Sequence, residues 1–271
     1  MELVLIVLVL GLIEGLTEFL PISSTGHLII AADLLGYTGA RADTFKIVIQ
    51  LGAILAVCWH YRRKLGAILR GLGREPGANA LTLNLLLAFL PAAFLGLIFR
   101  EEIKTVLFDP MVVAVSLVLG GIVMLVIEAR APAAHIHALE DVGRYQALKI
   151  GCAQALALVP GVSRSGATIM GARVFGLSHR AATEFSFFLA IPTMFAATTY
   201  DLYKSMHLLL AEDILLFSVG FLAAFASGLL AVRLFLRYVG NHGFVAFAWY
   251  RILFGLVCAV YFSTFDVAPL D

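Results

Sequence analysis

The chain has 271 residues, of which 61% are apolar and 14% charged, with a formal charge of +1 and a mean hydropathy of +0.97. A soluble domain carries about 45–50% apolar and about 25% charged residues, so this much apolar surface needs lipid to bury it. The composition argues against a water-facing globule, a disordered chain and a disulfide scaffold, and the balanced charge argues against a nucleic-acid partner.

The first apolar run, 3–35, is interrupted at Pro21-Ile22-Ser23-Ser24-Thr25-Gly26-His27. It lacks a basic leader, and Glu14 and Glu18 break it, so it reads as membrane structure and not as a signal peptide. Three uninterrupted runs follow, near 44–61, 80–99 and 110–128. Each has the roughly 18–23 residues that a ~30 Å hydrocarbon core asks of a helix. A second interrupted run, 146–176, breaks at Pro160-Gly161-Val162-Ser163-Arg164-Ser165-Gly166, and further spans lie near 183–203, 213–236 and 243–265. Polar groups punctuate the spans: Arg62-Arg63-Lys64, Arg100-Glu101-Glu102, Phe108-Asp109-Pro110, Ala211-Glu212-Asp213 and Gly240-Asn241-His242.

Each half of an interrupted run is about 10–16 residues, too short to cross. Broken backbone at membrane depth survives only where protein or water satisfies it, so each run predicts a re-entrant helical hairpin. The expected fold is an all-α polytopic membrane protein with six transmembrane helices plus two re-entrant hairpins, forming one membrane domain over 1–271. Lys and Arg set the orientation. The side holding loops 62–79, 129–149, 177–182 and 237–242 carries eleven of them, and the opposite side carries five, namely Arg41, Lys46, Arg100, Lys104 and Lys204. The eleven-residue side is predicted cytoplasmic, which places the first hairpin on the outer side.

Shifting the chain by 140 residues lays 10–36 over 150–176 without a gap, with seven identical pairs: Gly11/Gly151, Leu16/Leu156, Ser23/Ser163, Gly26/Gly166, Ile29/Ile169, Ala32/Ala172 and Gly36/Gly176. Three spans separate the copies, and an odd number inverts the second, so the repeats starting near 1 and 141 are expected to have inverted topology with their polar tips meeting near the midplane.

Ionisable side chains inside a bilayer are costly and point to function. Glu14 and Glu18 stand at i, i+4 and share a helix face. His27 follows just after the Ser23-Ser24-Thr25-Gly26 turn. The second break offers Arg164 with Ser163, Ser165 and Thr168, a fork donor and three hydroxyls at a helix start, which suits a phosphate. Ser24 or Ser23 beside His27 pairs a nucleophile with a base. The two glutamates either hold a hard divalent cation, Mg²⁺ or Ca²⁺, or orient and charge-tune His27. Blander readings stand beside these. Ser23, Thr25 and Ser165 also suit the satisfaction of freed backbone groups. Arg173 and Arg251 are expected to pair with acids or snorkel, Asp33 to balance a cation, and Glu184 to serve as a helix N-terminal charge.

Glu14-Gly15-Leu16-Thr17-Glu18-Phe19-Leu20-Pro21 with Ser23-Ser24-Thr25-Gly26-His27 resembles the ExxxE region of the bacterial undecaprenyl-diphosphate phosphatase family, the bacitracin-resistance proteins. Pro160-Gly161-Val162-Ser163-Arg164-Ser165-Gly166-Ala167-Thr168 resembles that family's PGxSRSxxT signature. Neither motif departs from the pattern, and length and span count agree. The resemblance implies hydrolysis of undecaprenyl diphosphate to undecaprenyl phosphate and inorganic phosphate, which recycles the lipid carrier for cell-wall synthesis and confers bacitracin resistance. It implies the outer leaflet of the bacterial inner membrane, a divalent metal, and Glu14, Glu18, Ser24, His27, Ser163, Arg164 and Thr168 as site positions. The expected mechanism uses Ser24 as nucleophile, His27 as base and Glu18 as its orienter. Direct attack by His27 and attack by activated water are the alternatives. A lipid or anion transporter on the same scaffold is the rival function.

Overall fold

The computed structural model describes residues 1–99, 103, 107, 109–205, 207 and 212–265. Arg100, Glu101, Glu102, Lys104, Phe108 and Ala211, to which span ends and outer-side charge were assigned, lie outside the described residues.

The described chain is helical. In order come α1 (Glu2–Thr17), α2 (Ser24–Leu34), α3 (Ala40–His60), α4 (Arg62–Gly71), α5 (Pro76–Ile98), α6 (Pro110–Arg130), α7 (Arg144–Ala155), α8 (Arg164–Val174), α9 (His179–Ser205), α10 (Asp213–Val239) and α11 (Val245–Thr264). Six of them, α3, α5, α6, α9, α10 and α11, are long and apolar enough to cross a membrane, as the six expected spans require. The protein is thus a multi-pass membrane protein. Boundaries move by a few residues where capping chemistry decides them. Asp109 caps α6 by accepting from the amides of Met111 at 2.7 Å and Val112 at 3.3 Å, with Pro110 at the first helical position. Helix α9 begins at His179, earlier than the expected span, so Glu184 lies inside it and pairs with Arg180 at 3.2 Å instead of facing the helix start.

Small residues set the closest helix contacts. Helix α1 packs on α10, where a Cβ at Gly11 would strike the Gly220 carbonyl and one at Gly15 would strike that of Ala224. Helix α7 packs on α5 in the same manner, with Gly151 against the Ala88 carbonyl. Close backbone approach through small residues is how helices gain contact where lipid removes the hydrophobic drive. Between these pairs lies an aromatic core in which Phe19, Phe185, Phe187 and Phe244 have no exposed surface. The 131–143 segment is tied down by an isolated bridge between Ile136 and Leu177, and by Asn84 donating to the Val142 carbonyl at 2.6 Å.

The two interrupted runs share their local geometry. Helices α2 and α8 each have 11 residues. Each is entered through a serine with positive φ, Ser23 at 67° and Ser163 at 74°, the two non-glycine residues in that region among those described. Each leaves through a positive-φ glycine, Gly36 or Gly176, whose amide bonds back to Asp33 or Arg173. Strain of this kind costs about 1–3 kcal/mol per residue and persists only where surrounding contacts impose it.

Candidate active site

The two breaks face each other across a cavity of about 180 Å³. From the first come Glu18, Ser23, Ser24 and Thr25; from the second come Pro160, Gly161, Ser163 and Arg164, with Gln50 of α3 between them. Helix α1 ends at Thr17, so Glu18 caps it and projects its carboxylate from the chain end into the gap. Helix α2 starts at Ser24, which points its hydroxyl back across the turn. The Ser24 hydroxyl donates to Glu18 Oε2 at 2.5 Å. Arg164 Nη2 donates to Glu18 Oε1 at 2.9 Å, an ion pair between side chains 13% and 8% exposed. One carboxylate thus joins a hydroxyl from its own break to a guanidinium 146 positions away.

Arg164 is held from several sides. It donates to the Ser186 carbonyl at 3.3 Å and to Met194 Sδ at 3.0 Å, and it lies over the Phe19 ring at 5.7 Å. Its Nε is buried without a partner. Thr168 does not line the cavity. Its hydroxyl shares a 2.6 Å bond with Ser186 and donates to the Arg164 carbonyl at 2.9 Å, supporting the turn that carries the arginine. Ser163 accepts from the Gly166 amide at 3.1 Å as an N-cap. Ser165 donates to the Leu20 carbonyl at 2.8 Å and so links the two breaks through backbone satisfaction. Glu14 is 2% exposed, one turn behind Glu18, and interacts electrostatically with both Glu18 and Arg164.

The expected pairing of Ser24 with His27 is not what the structure has. A carboxylate is the stronger acceptor within reach, and Ser24 takes it. His27 Nδ1 lies 2.8 Å from the Ser23 carbonyl and therefore donates to it. Nε2 is left as an acceptor for the Tyr250 hydroxyl at 2.7 Å. The ring stacks on Phe254 at 4.1 Å and stands outside the cavity lining. Two other expectations need correction. Asp33 accepts from the Tyr261 hydroxyl at 2.6 Å and, among the described residues, pairs with no cation. Among the described residues Arg251 pairs with backbone carbonyls and with no acid. Arg173 does pair with an acid, Glu128 at 3.7 Å, while His179 reaches the same carboxylate at 3.1 Å.

Gln50, Ser186 and Met194 were not among the expected site residues. They lie on α3 and α9, outside both motifs, and for Gln50 and Ser186 a lone polar residue in a span was the signal open to reading. The set as a whole offers a fork donor, hydroxyls and a carboxylate in a small polar cavity inside an apolar body. That combination is chemically suited to bind and polarise a phosphate, and it holds a hydroxyl against a proton acceptor.

Residues 7–257 match the family described as bacitracin resistance protein BacA. A protein of Aromatoleum aromaticum named undecaprenyl-diphosphatase is 57% identical over 257 residues, covering 95% of this chain and 94% of that one. Proteins of the same name from Nitrosomonas europaea and Methylococcus capsulatus are 57% and 56% identical over 250 residues, each covering 92% of this chain and 91% or 92% of the relative. With this geometry and match over nearly its whole length, the chain belongs to the bacitracin resistance protein BacA family.

Proposed function

We propose that this protein hydrolyses undecaprenyl diphosphate to undecaprenyl phosphate and inorganic phosphate, recycling the cell-wall lipid carrier and conferring bacitracin resistance. The observation that carries the reading is Glu18 held between Ser24 and Arg164 in a polar cavity lined by both breaks, in a chain whose relatives bear the name undecaprenyl-diphosphatase.

In this mechanism Arg164, with Ser163, Ser165 and Thr168 shaping its turn, takes the diphosphate. Binding exchanges Glu18 for phosphate oxygens on the guanidinium and frees the carboxylate to act as a base. Ser24 Oγ attacks the terminal phosphorus and passes its proton to Glu18, and the bridging P–O bond breaks to release undecaprenyl phosphate. Water then adds to the phosphoserine, Glu18 returns a proton to the departing Ser24 oxygen, and inorganic phosphate leaves. Positioning and electrostatics in a site with little water supply most of the rate. Glu14 stands one turn behind Glu18 and supports its carboxylate electrostatically. His27 holds the start of α2 against α11.

A divalent cation, Mg²⁺ or Ca²⁺, is part of the proposal. Glu18, Ser24, Ser163 and Gln50 present hard oxygen donors at the cavity, which fits either ion. Among the described residues no three His, Cys, Asp or Glu side chains form a metal-binding group. Glu18, backed by Glu14, would therefore hold the cation together with substrate oxygens. When bound, it would offset charge on the diphosphate.

The membrane arrangement is also proposed. Helices α2 and α8, at about 1.5 Å per residue, span roughly half of a ~30 Å core. With α1 and α7 they are read as two re-entrant hairpins related by an inverted repeat, within one domain. The matched serine and glycine conformations 140 residues apart support this. The excess of Lys and Arg on the loops after α3, α6 and α10 favours a cavity open to the outer side of the bacterial inner membrane.

The test is phosphate release from C55 diphosphate by purified protein in detergent, with and without chelator. Release that the chelator abolishes and Mg²⁺ or Ca²⁺ restores is expected. No release under any condition overturns the reading and is what a transporter would give.

A further inference from the structure

Outside the cavity one buried cation has no acid. Arg251 of α11 is 1% exposed, and among the described residues no carboxylate pairs with it. Its Nη2 donates to the Gly161 carbonyl at 3.0 Å and the Ser116 carbonyl at 3.3 Å, and its Nη1 donates to the Pro21 carbonyl at 3.4 Å. Pro21 and Gly161 hold the same place in the two breaks, 140 residues apart. Each lies two residues before the strained serine, where the chain has left helical geometry and its carbonyl has no helical donor. One guanidinium therefore satisfies the matching orphan carbonyl of both breaks.

The surroundings are cut to its shape. A Cβ at Gly166 would come within 2.8 Å of Nη1, and one at Gly120 would overlap Nη2. A planar fork spans carbonyls in different directions, which a single ammonium does not reproduce. The position equivalent to Arg251 in the first half is Met111, so the device exists once and serves both halves.

We infer that Arg251 is a positioning residue. It fastens the two breaks together and sets the spacing between Glu18 and Ser24 on one and Arg164 on the other. The activity arm of this inference rests on the proposed phosphatase reaction; the spacing arm does not.

The test compares Arg251→Met, Arg251→Lys, Gly120→Ala and the Arg251→Met/Gly120→Ala double variant in detergent. Phosphate release gives kcat and KM. Spin labels at Leu16 and Leu156, exposed residues just before the two breaks, give the spacing once Cys58, Cys152 and Cys258 are replaced. Misplacement of about 1 Å costs about 10²-fold. A kcat loss of that order is expected for Arg251→Met and Gly120→Ala, with KM within about threefold because Arg164 is intact. The label separation should shift or broaden. Arg251→Lys should fall between, and the double variant should fall no further than Arg251→Met, because Gly120 matters through the guanidinium. Gly120→Ala keeps the charge and favours helix, so it decides the matter if Arg251→Met does not fold. Unchanged spacing and kcat in a folded Gly120→Ala protein overturns the inference, as do additive losses in the double variant. If the wild type releases no phosphate, the phosphatase reading fails, and the label spacing still decides whether Arg251 joins the breaks.

Discussion

The two breaks have one backbone and two chemistries. Each enters an 11-residue helix through a serine at positive φ and leaves through a glycine. The first places Glu18 and Ser24 where the second has Leu158 and Arg164. The first therefore supplies an acid and a hydroxyl, and the second supplies the cation that meets them. The difference teaches that a paired scaffold can keep its geometry while dividing a site between its halves. Each half alone would bury an uncompensated charge, and together they bury an ion pair.

The comparison can be broken most severely at the second half. Arg164→Ala is expected to lower kcat/KM for phosphate release at least about 10³-fold while the protein still inserts, because the proposed anion clamp is lost and Glu18 loses its only cation among the described residues. Near-normal turnover would place the anion site elsewhere. At the first half, Glu18→Gln should cost about 10²–10³-fold, as the acceptor of the Ser24 proton goes. Glu14→Gln should cost roughly tenfold, since it leaves that acceptor in place and makes the first break resemble the second, which carries Gln154 there. Equal losses for the two glutamates would refute the ranking.

Smaller effects sharpen the contrast. Ser163 caps α8 through its side chain and Ser23 makes no such bond to α2. Ser163→Ala should therefore lower stability in detergent by about 1 kcal/mol. Ser23→Ala should stay within about 0.5 kcal/mol. Matching melting shifts for the pair would show that the breaks are stabilised alike. Smallest of all, Tyr250→Phe removes the hydroxyl bonded to His27 Nε2 and should leave kcat within about threefold, the modest effect expected of one neutral hydrogen bond away from the reacting groups. A loss of 10²-fold or more would return His27 to the reaction.

Residue pattern alone was enough to locate the six spans, because length and apolarity are local properties that a ~30 Å lipid core reads directly. The same holds for the two motifs, since a carboxylate or guanidinium inside an apolar run is visible without a fold. Partner choice was not local. Ser24 turned to Glu18 and not to His27, because the chain end of α1 brings a carboxylate to its hydroxyl while the Ser23 carbonyl and Tyr250 occupy the imidazole. Gln50, Met194 and Ser186 reach the site from spans whose facing no spacing rule predicts. Arg251 was expected to pair with an acid or snorkel, and only the convergence of the two breaks put unpaired carbonyls within its reach. Sequence by itself determined the solvent, the spans and the charged residues that lipid makes expensive. Tertiary structure decided which of those charges meet, because hydrogen-bond partners depend on distances between segments that the chain order leaves free.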